Sequence, residues 1–139
     1  MNNPGYFSLG VFDLTTTTTI TGDWVEDLEG MLAALVALRF IYGSTGSGSP
    51  AAKAYIQTTP DNGTTVCDIA CVVFGVASEH KVLNFSALTP KTTQVEPGNL
   101  TLADDTAVDG ILGNKIRVVV VVTGVYAGST QLVASLNVR

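Results

Sequence analysis

Charge is scarce in this sequence. Lysine and arginine together number 7 and aspartate and glutamate 12, so 14% of the 139 residues are charged, against about 25% in an ordinary soluble domain. The bases Arg39, Lys53, Lys81, Lys91, Lys115, Arg117 and Arg139 are scattered, with only Lys115 and Arg117 close together, and the net charge is −5. Affinity for nucleic acid comes chiefly from clustered cations that neutralise phosphates, so direct nucleic-acid binding is not expected. Histidine occurs once, as His80, and cysteine twice, as Cys67 and Cys71. A zinc site needs more ligands than these supply, and no metal or cofactor is expected. On a strand, Cys67 and Cys71 would share a face with Ile69 and Val73 at roughly 13 Å, from ~3.3 Å per residue. That is too far for a disulfide, so both read as buried free thiols.

Long apolar runs are missing too. The longest, Met31 to Leu38, falls short of the ~20 residues that span a bilayer, so no membrane span is expected. No basic segment followed by an apolar stretch precedes Asp13, so the start does not read as a secretory signal. The chain is expected to act where it is made or to be carried out within an assembly. The sequons at Asn62, Asn84 and Asn99 then read as incidental. No unit recurs at the period of a propeller or solenoid.

What the sequence does have is apolar alternation. The apolar fraction is 46% and the mean hydropathy +0.36, which leaves two readings open. Either partner subunits cover part of the surface, or an uncharged Thr, Ser and Gly coat suffices. Lys53, Tyr55 and Gln57 alternate with Ala52, Ala54 and Ile56. Leu83, Phe85 and Ala87 share a face, as do Leu132, Ala134, Leu136 and Val138. Period two predicts half-buried strands. Further strands are expected at Tyr6 to Phe12, Leu14 to Thr21, Val66 to Val76 and Lys115 to Thr123. The valines Val118 to Val122 have no polar side, which predicts a central strand or one covered on both faces.

Turn chemistry separates these runs at Gly43 to Pro50, Pro60 to Gly63, Glu96 to Asn99 and Gly124 to Ser129. Trp24 to Gly30 reads as a loop or short helical turn leading into a strand through Ile41, with a longer helix as the alternative. Asp104 to Leu112 reads as a second helical turn capped by Asp104 or Asp105. The expected fold is all-β, a single domain over 1–139. It is an antiparallel sandwich of about eight strands with at most short helical turns, jelly roll among its topologies, and 1–10 an extended arm.

Candidate chemistry is thin. His80 has no nucleophile motif beside it, and no catalytic residue is assigned. The carboxylates Asp23, Glu26, Asp27 and Glu29, and Asp104, Asp105 and Asp109, lack EF-hand spacing and read as solvated or capping groups rather than a glycosidase pair or a calcium site. Thr59-Pro-Asp-Asn-Gly-Thr-Thr-Val66 resembles a single Asp-box hairpin with Val66 where tryptophan is usual, a turn device. Tyr6, Phe7, Trp24 and Tyr126 are the candidate contact residues, for protein or for stacked sugar, against a core role for each.

Several stretches resemble small virion proteins of tailed bacteriophages. They are Leu38-Arg-Phe-Ile-Tyr-Gly43, Ala54-Tyr-Ile-Gln-Thr-Thr-Pro-Asp-Asn-Gly63, Cys67-Asp-Ile-Ala-Cys71, Lys81-Val-Leu-Asn-Phe-Ser-Ala87 and Thr101-Leu-Ala-Asp-Asp-Thr-Ala-Val-Asp-Gly-Ile-Leu-Gly113. Within that group the chain is most similar to the jelly-roll capsid cement (decoration) protein of Bordetella-type short-tailed phages. The resemblance implies a non-enzymatic jelly roll, a homodimer made in the host cytoplasm. It would sit on the outer capsid surface and clamp subunits of an HK97-like major capsid protein without covalent links. A carbohydrate- or receptor-binding fibre module and a head-completion or tail-joining protein are the alternatives.

Overall fold

The computed structural model describes residues 5–139. Nine strands follow one another: β1 (Gly5–Asp13), β2 (Thr18–Thr21), β3 (Ala33–Ile41), β4 (Ser44–Thr58), β5 (Cys67–Phe74), β6 (Glu79–Ser86), β7 (Thr106–Ala107), β8 (Ile116–Ala127) and β9 (Gln131–Val138). They form two antiparallel sheets, β1-β9-β3-β6 and β2-β8-β4-β5-β7, and no helix occurs among the described residues. With the two-residue β7 set aside, β1 pairs with β9, β2 with β8, β3 with β6 and β4 with β5. The first four strands thus pair with the last four in reverse order. This is one long hairpin whose tip is the β4–β5 turn, rolled into a sandwich: the jelly roll.

Alternation builds the core between the sheets. Val36, Leu38 and Phe40 of β3 and Leu132, Ala134, Leu136 and Val138 of β9 meet Ala52, Ala54 and Ile56 of β4 and Val118, Val120 and Val122 of β8. Phe40 stacks on Phe74 at 5.0 Å and meets Tyr126 edge-on at 5.7 Å. The valine run lies between β2 and β4, with Val119 buried on its other side beside Tyr55 and Cys71. It is both central and covered twice.

Several expectations need correction. The expected arm is, from Gly5 onward, strand β1, while residues 1–4 lie outside the described part. The strand expected over Leu14 to Thr21 is only Thr18–Thr21, because Leu14 turns into the core. Gly43 to Pro50 is no turn: β4 begins at Ser44 and follows β8 through two bulges. A Cβ on Gly46 would stand 2.6 Å from Val125 Cγ1, so that glycine marks close approach of two strands rather than a reversal. β8 likewise runs to Ala127 through the expected turn. Trp24 to Gly30 is a loop, one of the two expected forms, and no helical turn forms over Asp104 to Leu112. The carboxylates expected to cap it reach elsewhere: Asp104 pairs with Lys53 at 2.8 Å, and Asp105 accepts the Val73 N–H at 3.1 Å. Thr106 and Ala107 pair with Cys71 and Ala70, which supplies the strand beyond eight.

The cysteines are both free and buried but do not share a face. A bulge displaces the β4–β5 register between Ile56 and Gln57, so Ile69 and Ala70 both enter the inter-sheet core. Alternation on the two sides of the bulge is out of phase. Cys71 therefore lies on the outer face with Tyr55 and Val119, and Cys67 falls on the opposite phase.

Candidate interaction face

Each sheet has an outer face, and the two are finished differently. That of the five-stranded sheet is roofed by the chain itself. Leu100 and Leu102, from the long connection between β6 and β7, lie against Tyr55, Cys71 and Val119. One buried carboxylate holds the roof down. Asp68 accepts the backbone N–H groups of Leu100, Thr101 and Leu102 at 3.1, 2.8 and 3.2 Å. It also accepts Gln57 Nε2 at 2.8 Å, while its own N–H donates to Gly98 O at 2.9 Å. Gln57 Nε2 also donates to Asn99 Oδ1, and Arg117 Nε donates to Gln57 Oε1. The Arg117 guanidinium lies 4.3 Å from the Trp24 ring centroid, and its burial pulls its pKa down from the usual arginine value.

Among the described residues the four-stranded sheet has no such roof. Its outward side chains are set by register. Tyr6, Asn137, Leu35 and Asn84 form one row across β1, β9, β3 and β6. Ser8, Ser135, Ala37 and Val82 form the next, and Val11, Val133, Arg39 and His80 a third. Tyr6 is 69% exposed, Val11 59%, Val82 55% and Leu35 39%, with Leu32 close by at the head of β3. The centre is small, Ser8, Ser135 and Ala37, and the charges are few. Arg39 and His80 stand opposite one another, and Asp13 lies at the end of β1. Two shallow hollows of about 330 and 250 Å³ share Asn137 and Arg139, the first bounded by Leu35 and the second by Tyr6. Six of these twelve outward positions are polar, so the face is mixed in polarity, poor in charge and open to solvent among the described residues.

The four candidate contact residues do not converge. Tyr6 lies on this face. Phe7, its neighbour, points to the other side and packs against the core. Trp24 is half-buried beneath Arg117. Tyr126 is 3% exposed, and its hydroxyl donates to Gly75 O at 2.7 Å. Burial, with Tyr42 nearby, pushes its pKa up to about 12. Expected in a loop, Tyr126 lies in a strand and offers no ring to a sugar.

Leu35 and Val82 were missed, although the run Met31 to Leu38 carried the signal. A strand apolar on both faces inside a two-layer fold must present one of them to something else.

Several other polar groups are occupied locally. Asp61 accepts the Thr65 N–H and hydroxyl, which closes the β4–β5 turn as the Asp-box pattern suggests and lowers its pKa. Glu26 pairs with Lys115 at 3.0 Å and Glu29 accepts from Asn114. No group of three or more His, Cys, Asp or Glu among the described residues is placed to hold a metal ion.

Protein-family models, curated proteins and solved structures were compared with the chain. None matches.

Proposed function

We propose that this chain is a virion structural protein, a binding module rather than an enzyme. It docks on the outer surface of a phage capsid and cements neighbouring HK97-like major capsid protein subunits without covalent links. The observation that supports docking is the contrast between the two sheets: one outer face roofed and pinned by Asp68, the other bare among the described residues, poor in charge, with Tyr6, Val11, Leu35 and Val82 exposed on it. The resemblance to phage virion proteins supplies the capsid as the surface docked upon.

The size of the face suits such a role. Four strands about 4.8 Å apart and eight residues at ~3.3 Å each project to roughly 500 Å², below the ~800 Å² per partner of a standard stable interface. One contact of that size is weak. Many copies bridging adjacent shell subunits gain strength through avidity and spread the load of internal pressure over the shell.

The test is docking on stripped particles. Leu35→Lys/Val82→Lys puts two charges on the bare face, where both side chains already meet water. Stability should change by no more than about 0.5 kcal/mol at each site, while particle occupancy falls at least about tenfold. Uptake equal to that of the unaltered chain would remove the face from the mechanism. Copy number separates the roles: a cement protein approaches the abundance of the shell protein, whereas a fibre or head-completion protein is scarce.

A further inference from the structure

Bases are few in this chain, and most of them are engaged within it. Lys53 pairs with Asp104 at 2.8 Å, Lys81 with Glu79 at 3.5 Å, and Lys115 with Glu26 at 3.0 Å. Lys81 also donates to Val73 O, and Arg117 is held by Gln57 and the Trp24 ring. Lys91 lies in the connection between β6 and β7. The two that remain, Arg39 and Arg139, both belong to the bare sheet. Arg139 edges its two hollows, and Arg39 stands exposed in the third row of outward side chains. Among the described residues the Arg39 side chain has no hydrogen bond, ion pair or ring contact.

The neighbours of Arg39 offer it no acceptor of opposite charge. Val133 on β9 and His80 on β6 flank it across the sheet, and Ala37 and Ile41 share its face along β3. Asp13 is the one carboxylate among the outward side chains of the four strands. It lies a row further along and two strands away, where it accepts Gln131 Nε2 at 2.8 Å. Glu79, on the inward phase opposite Phe40, is the partner of Lys81. Five guanidinium N–H donors therefore face solvent, beside the N–H of the His80 ring.

We infer that Arg39 is the anchor of the docking face, seating an aspartate or glutamate side chain of the partner protein, with His80 a second donor to the same carboxylate. This rests on the docking role given above and adds the chemistry of the surface docked upon. A guanidinium is planar, presents paired N–H groups that match the two oxygens of a carboxylate, and is hydrated weakly enough to be desolvated on contact. Val133, Ala37 and Ile41 give the pair an apolar floor, so closure removes water and strengthens the attraction. Arginine is also among the residue types in which binding energy concentrates at protein interfaces. Nucleic acid fits less well, because phosphate binding needs clustered cations and the chain as a whole carries −5. An acidic partner is repelled by the carboxylates on the other sides of the molecule, so the anchor fixes orientation as well.

Docking on stripped particles tests the anchor. Arg39 has no partner in the chain to lose, so Arg39→Gln should melt with the native protein while its uptake falls at least about thirtyfold. Arg39→Lys keeps the charge without the planar fork and should bind between the two. Rising salt should weaken native uptake and leave Arg39→Gln nearly unaffected, a response that lost packing would not alter. The contact itself is read by coupling. Particles coated with Arg39→Lys and treated with a water-soluble carbodiimide should yield an amide between position 39 and an Asp or Glu of the shell protein, the reagent taking up the water released. Native-level uptake of Arg39→Gln at every salt concentration, or a docked chain whose position 39 couples only to its own carboxylates, overturns the anchor and leaves docking standing. Particles that take up no native chain remove the docking role and the anchor with it. Retention on duplex DNA that Arg39→Gln abolishes would put phosphate in place of the carboxylate and overturn the partner class.

Discussion

Removing the Asp68 carboxylate should release the roof of the five-stranded sheet. Asp68→Ala deletes four accepted hydrogen bonds, three from consecutive backbone N–H groups and one from Gln57. A hydrogen bond to a charged acceptor contributes about 1.5–3 kcal/mol, and the four share one acceptor, so they do not add. Once the carboxylate is gone the connection can lift and let water reach its N–H groups. This caps the loss near the free energy that docks the connection, about 3 kcal/mol. For a domain of this length that corresponds to about 10 °C in melting temperature. Lifting also uncovers Tyr55, Cys71 and Val119, so the variant should show new protease cleavage between Ser86 and Thr106 and lose amide protection at Leu100 to Leu102 before the core does. Urea unfolding, limited proteolysis and hydrogen exchange read the three effects. A variant within about 0.5 kcal/mol of the parent, with that segment still resistant, would refute the latch.

Two further outcomes follow from single groups. Tyr126→Phe loses the 2.7 Å bond to Gly75 O and should cost about 1 kcal/mol in urea unfolding, with ring packing on Phe40 kept; no change would mean that the bond adds nothing net. Asp109 is held below the usual carboxylate range by the Ser86 N–H and then the Thr89 hydroxyl. A depressed carboxylate stabilises above its unfolded value, about 3.9, and that contribution disappears as the pH falls through the lower folded value. Asp61, lowered by Thr65, acts in the same direction. Thermal unfolding should weaken below about pH 4, less steeply in Asp109→Asn; parallel acid limbs in the two proteins would contradict this.

The strands were legible where one side of the chain is polar. Lys53 to Gln57 and Leu132 to Val138 announce their inner faces by alternation, and the structure buries the residues so marked. Glycine misled, because Gly46 allows two backbones to approach rather than a chain to reverse. The bulge that separates the phases of Cys67 and Cys71 leaves no local trace, since one extra residue in an apolar run reads as another core position. Asp104 or Asp105 was read as a cap, and Asp109 as a solvated or capping group, because carboxylates near a turn usually serve their own backbone or water. Their partners Lys53, Val73 and Ser86 lie far away along the chain. The bare face shows in the sequence only as the unexplained second apolar side of β3. Its grouping of Tyr6, Val11, Leu35 and Val82 comes from register across three separate strand pairs.

The rolled hairpin also sets an order in time. Only its tip, β4 with β5 across the Asp61 turn, can form from neighbouring chain during synthesis. β2 must wait for residues beyond 116, and β1 for β9, since Gly5 pairs with Val138. Closing such distant pairs is slow, because loop entropy is lost before contacts reward it. While it waits, the chain carries unpaired strands that a neighbouring nascent copy can capture. At high expression, early encounters between unfinished chains therefore compete with correct closure, and slowing translation should raise the yield of folded protein.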